Sequence, residues 1–312
     1  MLHVACNLRR SRVIFITLWL VPSAAFSVEG GLSNYIPGFY GDLALAVEPP
    51  KGVSLRNDLY YYSGDADGSV RSGQVEIEAD IALAYNYTTV FINPDIELFG
   101  GSLAFGITPA LGYVDIDATV QAGPGSLSVK DDDWGLGDAT FSANIFWNQD
   151  NWHFLWANYV VAPIGEYDED ELANPSLNYW TFETDIMVTY LDESKGRDFS
   201  VVVGYLYNTE NDDTDYKSGD EFHIDYVLNQ FITESFGLGV TGFYYRQLSG
   251  DSGDGAVLGN FKGEAWGIGP SAYYKATTTE KDIWLAFKWM HEFSVENRFD
   301  GDHIFASFAL SF

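Results

Sequence analysis

Glu221, His223 and Asp225 sit two residues apart in the run Glu221-Phe222-His223-Ile224-Asp225-Tyr226. In an extended chain, side chains two apart share a face and lie about 7 Å from one another. The run therefore predicts a ladder of carboxylate, imidazole and carboxylate on one side of a strand, with Phe222, Ile224 and Tyr226 on the other. Such a ladder could bind a phenol hydroxyl or a cation; the plainer reading is a polar wall satisfied by water and its neighbours. Glu183 and Asp185 repeat the pattern between Phe182, Ile186 and Val188. Glu76, Glu78 and Asp80 repeat it between Val75, Ile77, Ala79 and Ile81. Asp215 and Tyr216, in the acidic stretch leading into the ladder, are expected at its mouth.

The elements that carry these residues read as strands of a membrane barrel. Alternation gives about twelve strand candidates between residue 53 and the carboxyl terminus. Short connections, such as Asn93-Pro94-Asp95 and Thr233-Glu234, take turns with long ones such as Asp117 to Asp133, Pro163 to Asn178 and Ser249 to Asn260. That asymmetry is the mark of an even-stranded outer-membrane barrel, with short periplasmic turns and long external loops. A carboxylate facing lipid is costly there, so each acidic set is expected to face the lumen. The chain ends on alternating Phe308, Leu310 and Phe312, the pattern of a closing strand that assembly machinery in the outer membrane would read.

The amino terminus carries Arg9, Arg10 and Arg12, then the apolar run Val13 to Val21, then Ala25 and Ser27 at a small-residue cleavage site. Residues 1–27 are thus expected to be a secretory signal peptide. The only cysteine, Cys6, falls within it, so disulfides are not expected to hold the remainder. The formal net charge of −29 argues against nucleic acid as a partner. Twenty Tyr, nine Trp and 22 Phe suit the interfacial belts of a membrane protein. Residues 28–52 belong to no evident hairpin, and Tyr35, Pro37 and Gly38 are expected either in a plug folded into the lumen or in a periplasmic tail. Residues 53–312 form the barrel in both readings.

Several stretches resemble the outer-membrane proteins named for the meta-pathway of phenol degradation. They are Glu29-Gly30-Gly31, Tyr35-Ile36-Pro37-Gly38, Pro49-Pro50-Lys51-Gly52, Gly135-Leu136-Gly137-Asp138 and Ala162 to Asp168. Asn178 to Phe182, the long run Asn208 to Tyr226, Gly269-Pro270 and Glu296 to Phe299 complete them. The resemblance covers essentially everything after the leader; Ile164 stands where the family commonly has Thr. It implies a barrel distantly similar to the long-chain fatty-acid channel, passing hydrophobic or aromatic compounds.

Enzymatic chemistry is not expected. His153, His223, His291 and His303 are the histidines outside the leader, and none adjoins a serine in a nucleophile motif. The acidic clusters Asp131 to Asp133 and Asp168 to Glu171 lack the spacing of a dedicated calcium loop, so neither a metal nor a cofactor is expected. The expected partners are the lipid bilayer, lipopolysaccharide and a small apolar solute. The functional expectation is passive passage of small hydrophobic or aromatic compounds across the bacterial outer membrane. The alternatives are a cation-preferring porin with an open bore, or a surface receptor that transports nothing.

Overall fold

Twelve antiparallel wall strands follow one another around a closed sheet. A computed structural model describes residues 28–66, 69–71, 74–122, 125–257, 259–277 and 282–311. The expected leader and Phe312 lie outside these residues. The strands are β1 (Gly52–Ala66), β2 (Gln74–Leu98), β3 (Gly101–Thr108 and Ala110–Ala122), β4 (Gly125–Leu136 and Ala139–Gln149), β5 (Trp152–Ala162) and β6 (Thr181–Asp192). They continue with β7 (Arg197–Asn208), β8 (Glu221–Phe231), β9 (Phe236–Gln247), β10 (Glu264–Thr277), β11 (Asp282–Glu296) and β12 (Asp300–Ser311). Pro109 interrupts β3 because it has no N–H to give the ladder. β12 pairs with β1 from Ser54↔Ser311 to Asp65↔Asp300, which closes the cylinder. Closure leaves no strand edge in lipid, where an unpaired backbone group would cost several kcal/mol.

The outer face is apolar. Phe182, Ile186, Val203, Leu228, Leu238, Phe287 and Trp289 are all exposed on the barrel wall. No described helix is long and apolar enough to cross a membrane. On β6 and β8 most inward residues are polar, as the alternation predicts: Glu183, Asp185, Thr189, Glu221, His223 and Asp225 are buried, beside Met187 and Val227.

β2 reverses the expectation. Ala79, Ile81 and Leu83 are buried inside the barrel, whereas Glu78 and Asp80 are exposed on its outer face. Position along the strand explains this. Asp80 pairs with Asp65 and Asp117 away from the middle of the wall, towards the long-loop end, where an outward carboxylate costs about 0–1 kcal/mol. Burying Ile81 and Leu83 against Tyr35 and Tyr62 gains about 2 kcal/mol each, so the apolar parity turns inward. The Glu76 side chain lies outside the description; its backbone belongs to β2.

A second difference concerns residues 117–133, expected as a loop. The ladder of β3 and β4 runs on to Ala122↔Gly125, so these residues project as a hairpin above the barrel. The backbone register includes Ala118↔Val129 and Val120↔Leu127.

Residues 28–50 lie inside the barrel. The Pro37-Gly38 turn presses on β11, where a Cβ at Gly38 (φ +76°) would overlap the Met290 side chain. Lys288 donates to the carbonyls of Gly38 (2.9 Å) and Phe39 (3.1 Å). Arg56 bridges Asp42 of the segment (2.6 Å) and Asp58 of β1 (2.7 Å). Farther along, Ala44 N–H and Ala46 N–H donate to Asp198 and Thr189. The interior is therefore a packed core of Tyr35, Phe243, Tyr245, Met290 and Phe305 against the wall, not an empty bore.

Candidate functional site

The lumen centre is built around the His223 ring. β8 carries it inward, and its Nδ1 lies 2.7 Å from Asp225 Oδ2. Its Nε2 faces β6, 3.1 Å from Glu183 Oε1 and 3.5 Å from Asp185 Oδ1. Between those strands, β7 offers only Gly204, in register with both Asp185 and His223. Any Cβ there would overlap the imidazole and the carboxylate, so glycine makes the dent in which the two meet.

The inserted segment covers this cluster with two tyrosines. Tyr35 stacks on the His223 ring at 4.1 Å and donates its hydroxyl to Asp225 Oδ2 (3.0 Å). Tyr40 stacks at 5.5 Å and donates to Glu183 Oε2 (3.2 Å). Of the predicted ladder, His223 and Asp225 come together with Glu183 and Asp185. Glu221 does not join them: it accepts from Ser33 and from Asn208 Nδ2 (2.6 Å), one level nearer the external end. Asp215 and Tyr216 lie in the external loops, away from the cluster. Tyr216 donates to Asp251 (2.7 Å), and Asp251 also accepts from the backbone of Val28 and Gly219.

A second histidine–carboxylate group lines the same lumen. His303 Nε2 lies 3.3 Å from Glu292, Tyr62 donates to Glu292 (2.9 Å), and the Tyr60 hydroxyl sits 3.0 Å from His303 Nδ1. Ser33, Tyr40, Lys288 and this group were not singled out from the sequence. Lys288, the one lysine or arginine of β11 and set between Phe287 and Trp289, was the signal available for the contact with the inserted segment.

Three adjoining cavities flank the inserted segment. An upper cavity of about 110 Å³ lies beneath the external loops, bounded by Tyr60, Tyr85, Leu177 and Arg298. A central cavity of about 240 Å³ shares Ile36, Tyr87, Thr140 and Val161 with it, and adds Phe39, Phe146, Leu155 and Tyr159. A wide vestibule of about 1360 Å³ at the short-turn end shares Leu43, Val47, Arg56 and Phe91 with the central cavity. The three cavities thus adjoin in line; the upper and central ones share the wall of β2, β4 and β5, whereas the vestibule is bounded mainly by β1 and β10 to β12. Glu183 borders the central one, which links the histidine cluster to this space.

A family model described as "Putative MetA-pathway of phenol degradation" matches residues 39–308. The chain belongs to this family. Among solved structures, a COG4313 outer membrane channel from Pseudomonas putida F1 is similar with a TM-score of 0.64 and 15% identity, over 89% of this chain and 100% of that one. A FadL homologue from Pseudomonas aeruginosa aligns more loosely, with a TM-score of 0.43 and 10% identity over 93% and 98% of the two chains. No curated protein matches the sequence. The family member described here has the fold of an outer-membrane channel, and its closed wall with an apolar outer belt belongs in the bilayer of the bacterial outer membrane.

Proposed function

We propose that the barrel passes small hydrophobic or aromatic solutes by passive diffusion, along the three adjoining cavities beside residues 28–50. The observation that carries this reading is the line of three adjoining cavities whose middle member is walled by Phe39, Tyr40, Phe91, Phe146 and Tyr159. At about 240 Å³ it exceeds the roughly 150 Å³ cavity that accommodates benzene. Rings of this kind take an apolar solute out of water without requiring charge, and the Thr108, Thr140, Ser142 and Asn144 side chains beside them leave polar partners for a single substituent. The filled lumen disfavours an open hydrophilic porin. The terminal alternation through Phe308, Leu310 and Phe312 fits recognition by assembly machinery, and the external acidic loops would meet lipopolysaccharide. Uptake of a one-ring aromatic into proteoliposomes tests the route. Thr140→Trp, which fills the boundary between the upper and central cavities, is expected to cut uptake at least severalfold, and unchanged uptake would refute it.

A further inference from the structure

We infer that Glu183, Asp185 and His223 form a binding site for one divalent transition-metal ion of the Zn²⁺ type, with Asp225 holding the imidazole in position. The donor atoms of the three ligands lie within 4.8 Å of one another, and all three residues are buried. A carboxylate has no proton to give, so the 2.7 Å contact with Asp225 requires the proton on Nδ1. Nε2 is then turned towards Glu183 Oε1 and Asp185 Oδ1. Without a cation between them, three acceptors would face one another in a closed interior.

A proton on Nε2 does not resolve this. It can be donated well to Glu183 at 3.1 Å, but both oxygens of Asp185 then remain without a hydrogen bond, although the residue is completely buried. An unpaired buried carboxylate is strongly disfavoured. An imidazolium would also leave three carboxylates, Glu183, Asp185 and Asp225, against one positive charge. A divalent ion serves Glu183 and Asp185 together and lowers the excess.

The spacing fits as well. Tetrahedral ligands at about 2.0–2.1 Å from a metal stand about 3.3 Å apart, between the observed 3.1 and 3.5 Å separations from Nε2. One nitrogen and two carboxylates suit Zn²⁺, Co²⁺ or Ni²⁺ better than Ca²⁺ or Mg²⁺, which prefer oxygen alone. The Asp225–His223 contact is the outer carboxylate that commonly orients a metal-bound imidazole. Gly204 supplies the room, and Glu183, at the edge of the central cavity, supplies the entry. The site is independent of whether solutes pass beside it.

The test uses the full-length protein extracted from outer membranes in detergent, stripped with a chelator and titrated in excess Mg²⁺ to occupy the loop carboxylates. Calorimetry with Zn²⁺ is expected to give one tight site per chain. Co²⁺ is expected to show visible absorption of tetrahedral intensity, a readout that needs no variant. Asp185→Asn and His223→Ala, each checked for the intact barrel by heat-modifiable electrophoretic mobility, are expected to lose the site; Asp225→Asn is expected to weaken it about 10- to 100-fold. Absence of the tight site and of the Co²⁺ spectrum in the unaltered protein would overturn the assignment. So would unchanged tight binding in folded His223→Ala.

Discussion

At the scale of single residues, the lumen is held by a few buried groups whose partners come from both the wall and the inserted segment. Lys288 is the clearest, since its ammonium reaches two carbonyls of the Gly38–Phe39 turn and lies over the Phe305 ring at 4.6 Å. Hydrogen bonds to a charged group are worth about 1.5–3 kcal/mol each. Lys288→Met is therefore expected to release the turn at a cost of about 3 kcal/mol, read as faster hydrogen exchange of residues 36–42 in the folded barrel. Exchange at the unaltered rate would show that the contact holds nothing.

Asp251, in the external loop after β9, gives a pH dependence. Burial, the largest influence, pushes its carboxyl above the ordinary range, while donation from Tyr216, Gly219, Gln247 and Val28 only partly offsets it. A carboxyl whose folded pKa is raised contributes stability that is fully present below its unfolded value and is lost as pH rises through the folded one. The contact of Val28 with the loops is thus expected to gain protection on mild acidification, in the window just above the ordinary carboxylate pKa of about 3.9. Asp251→Asn is expected to flatten that dependence. Much of this scale was legible in advance: the alternation around Glu183, Asp185, His223 and Asp225 already placed them inward, where they meet. The partners Tyr35 and Tyr40 were not legible as such, because nothing in a strand's own pattern reveals which side chain of a distant segment will stack on it.

At the scale of elements, β2 shows where the period-2 argument needs a second input. Alternation identifies two faces, but depth in the membrane and what fills the lumen decide which is inside. On β6 and β8 the polar face meets polar side chains of the inserted segment; at the external end of β2 the apolar face meets Tyr35 and Tyr62. Ile81→Asp is accordingly expected to destabilise the barrel by several kcal/mol, as an unpaired buried charge does. Asp80→Ala should shift its stability by no more than about 0.5 kcal/mol. Equal effects of the two in urea unfolding from detergent would restore the opposite facing. The hairpin tip of β3 and β4 was similarly hidden by its glycines and proline, which read as loop although the flanking residues pair to the end.

At the scale of the whole molecule, a closed wall of twelve strands would enclose more space than its own side chains fill. The chain fills it with residues 28–50, leaving a central cavity against β2 to β5 that opens into a wide vestibule at the short-turn end, and packing the buried carboxylates and His223 of β6 and β8 on the other side. The wall and its turns could be read from the sequence because a barrel repeats one local rule at every strand. The filling was legible only as one of two alternatives, plug or periplasmic tail, because residues 28–50 have no repeat and take their shape from the lumen they enter.

Planar-bilayer recording bears on this arrangement most directly. The unaltered protein is expected to show little steady ionic conductance, whereas a variant lacking residues 30–48 should open a large, cation-preferring one, because Glu183, Asp185, Glu221 and Asp225 then face water. A large steady conductance from the unaltered protein, unchanged by the deletion, would contradict a lumen filled by its own amino-terminal segment.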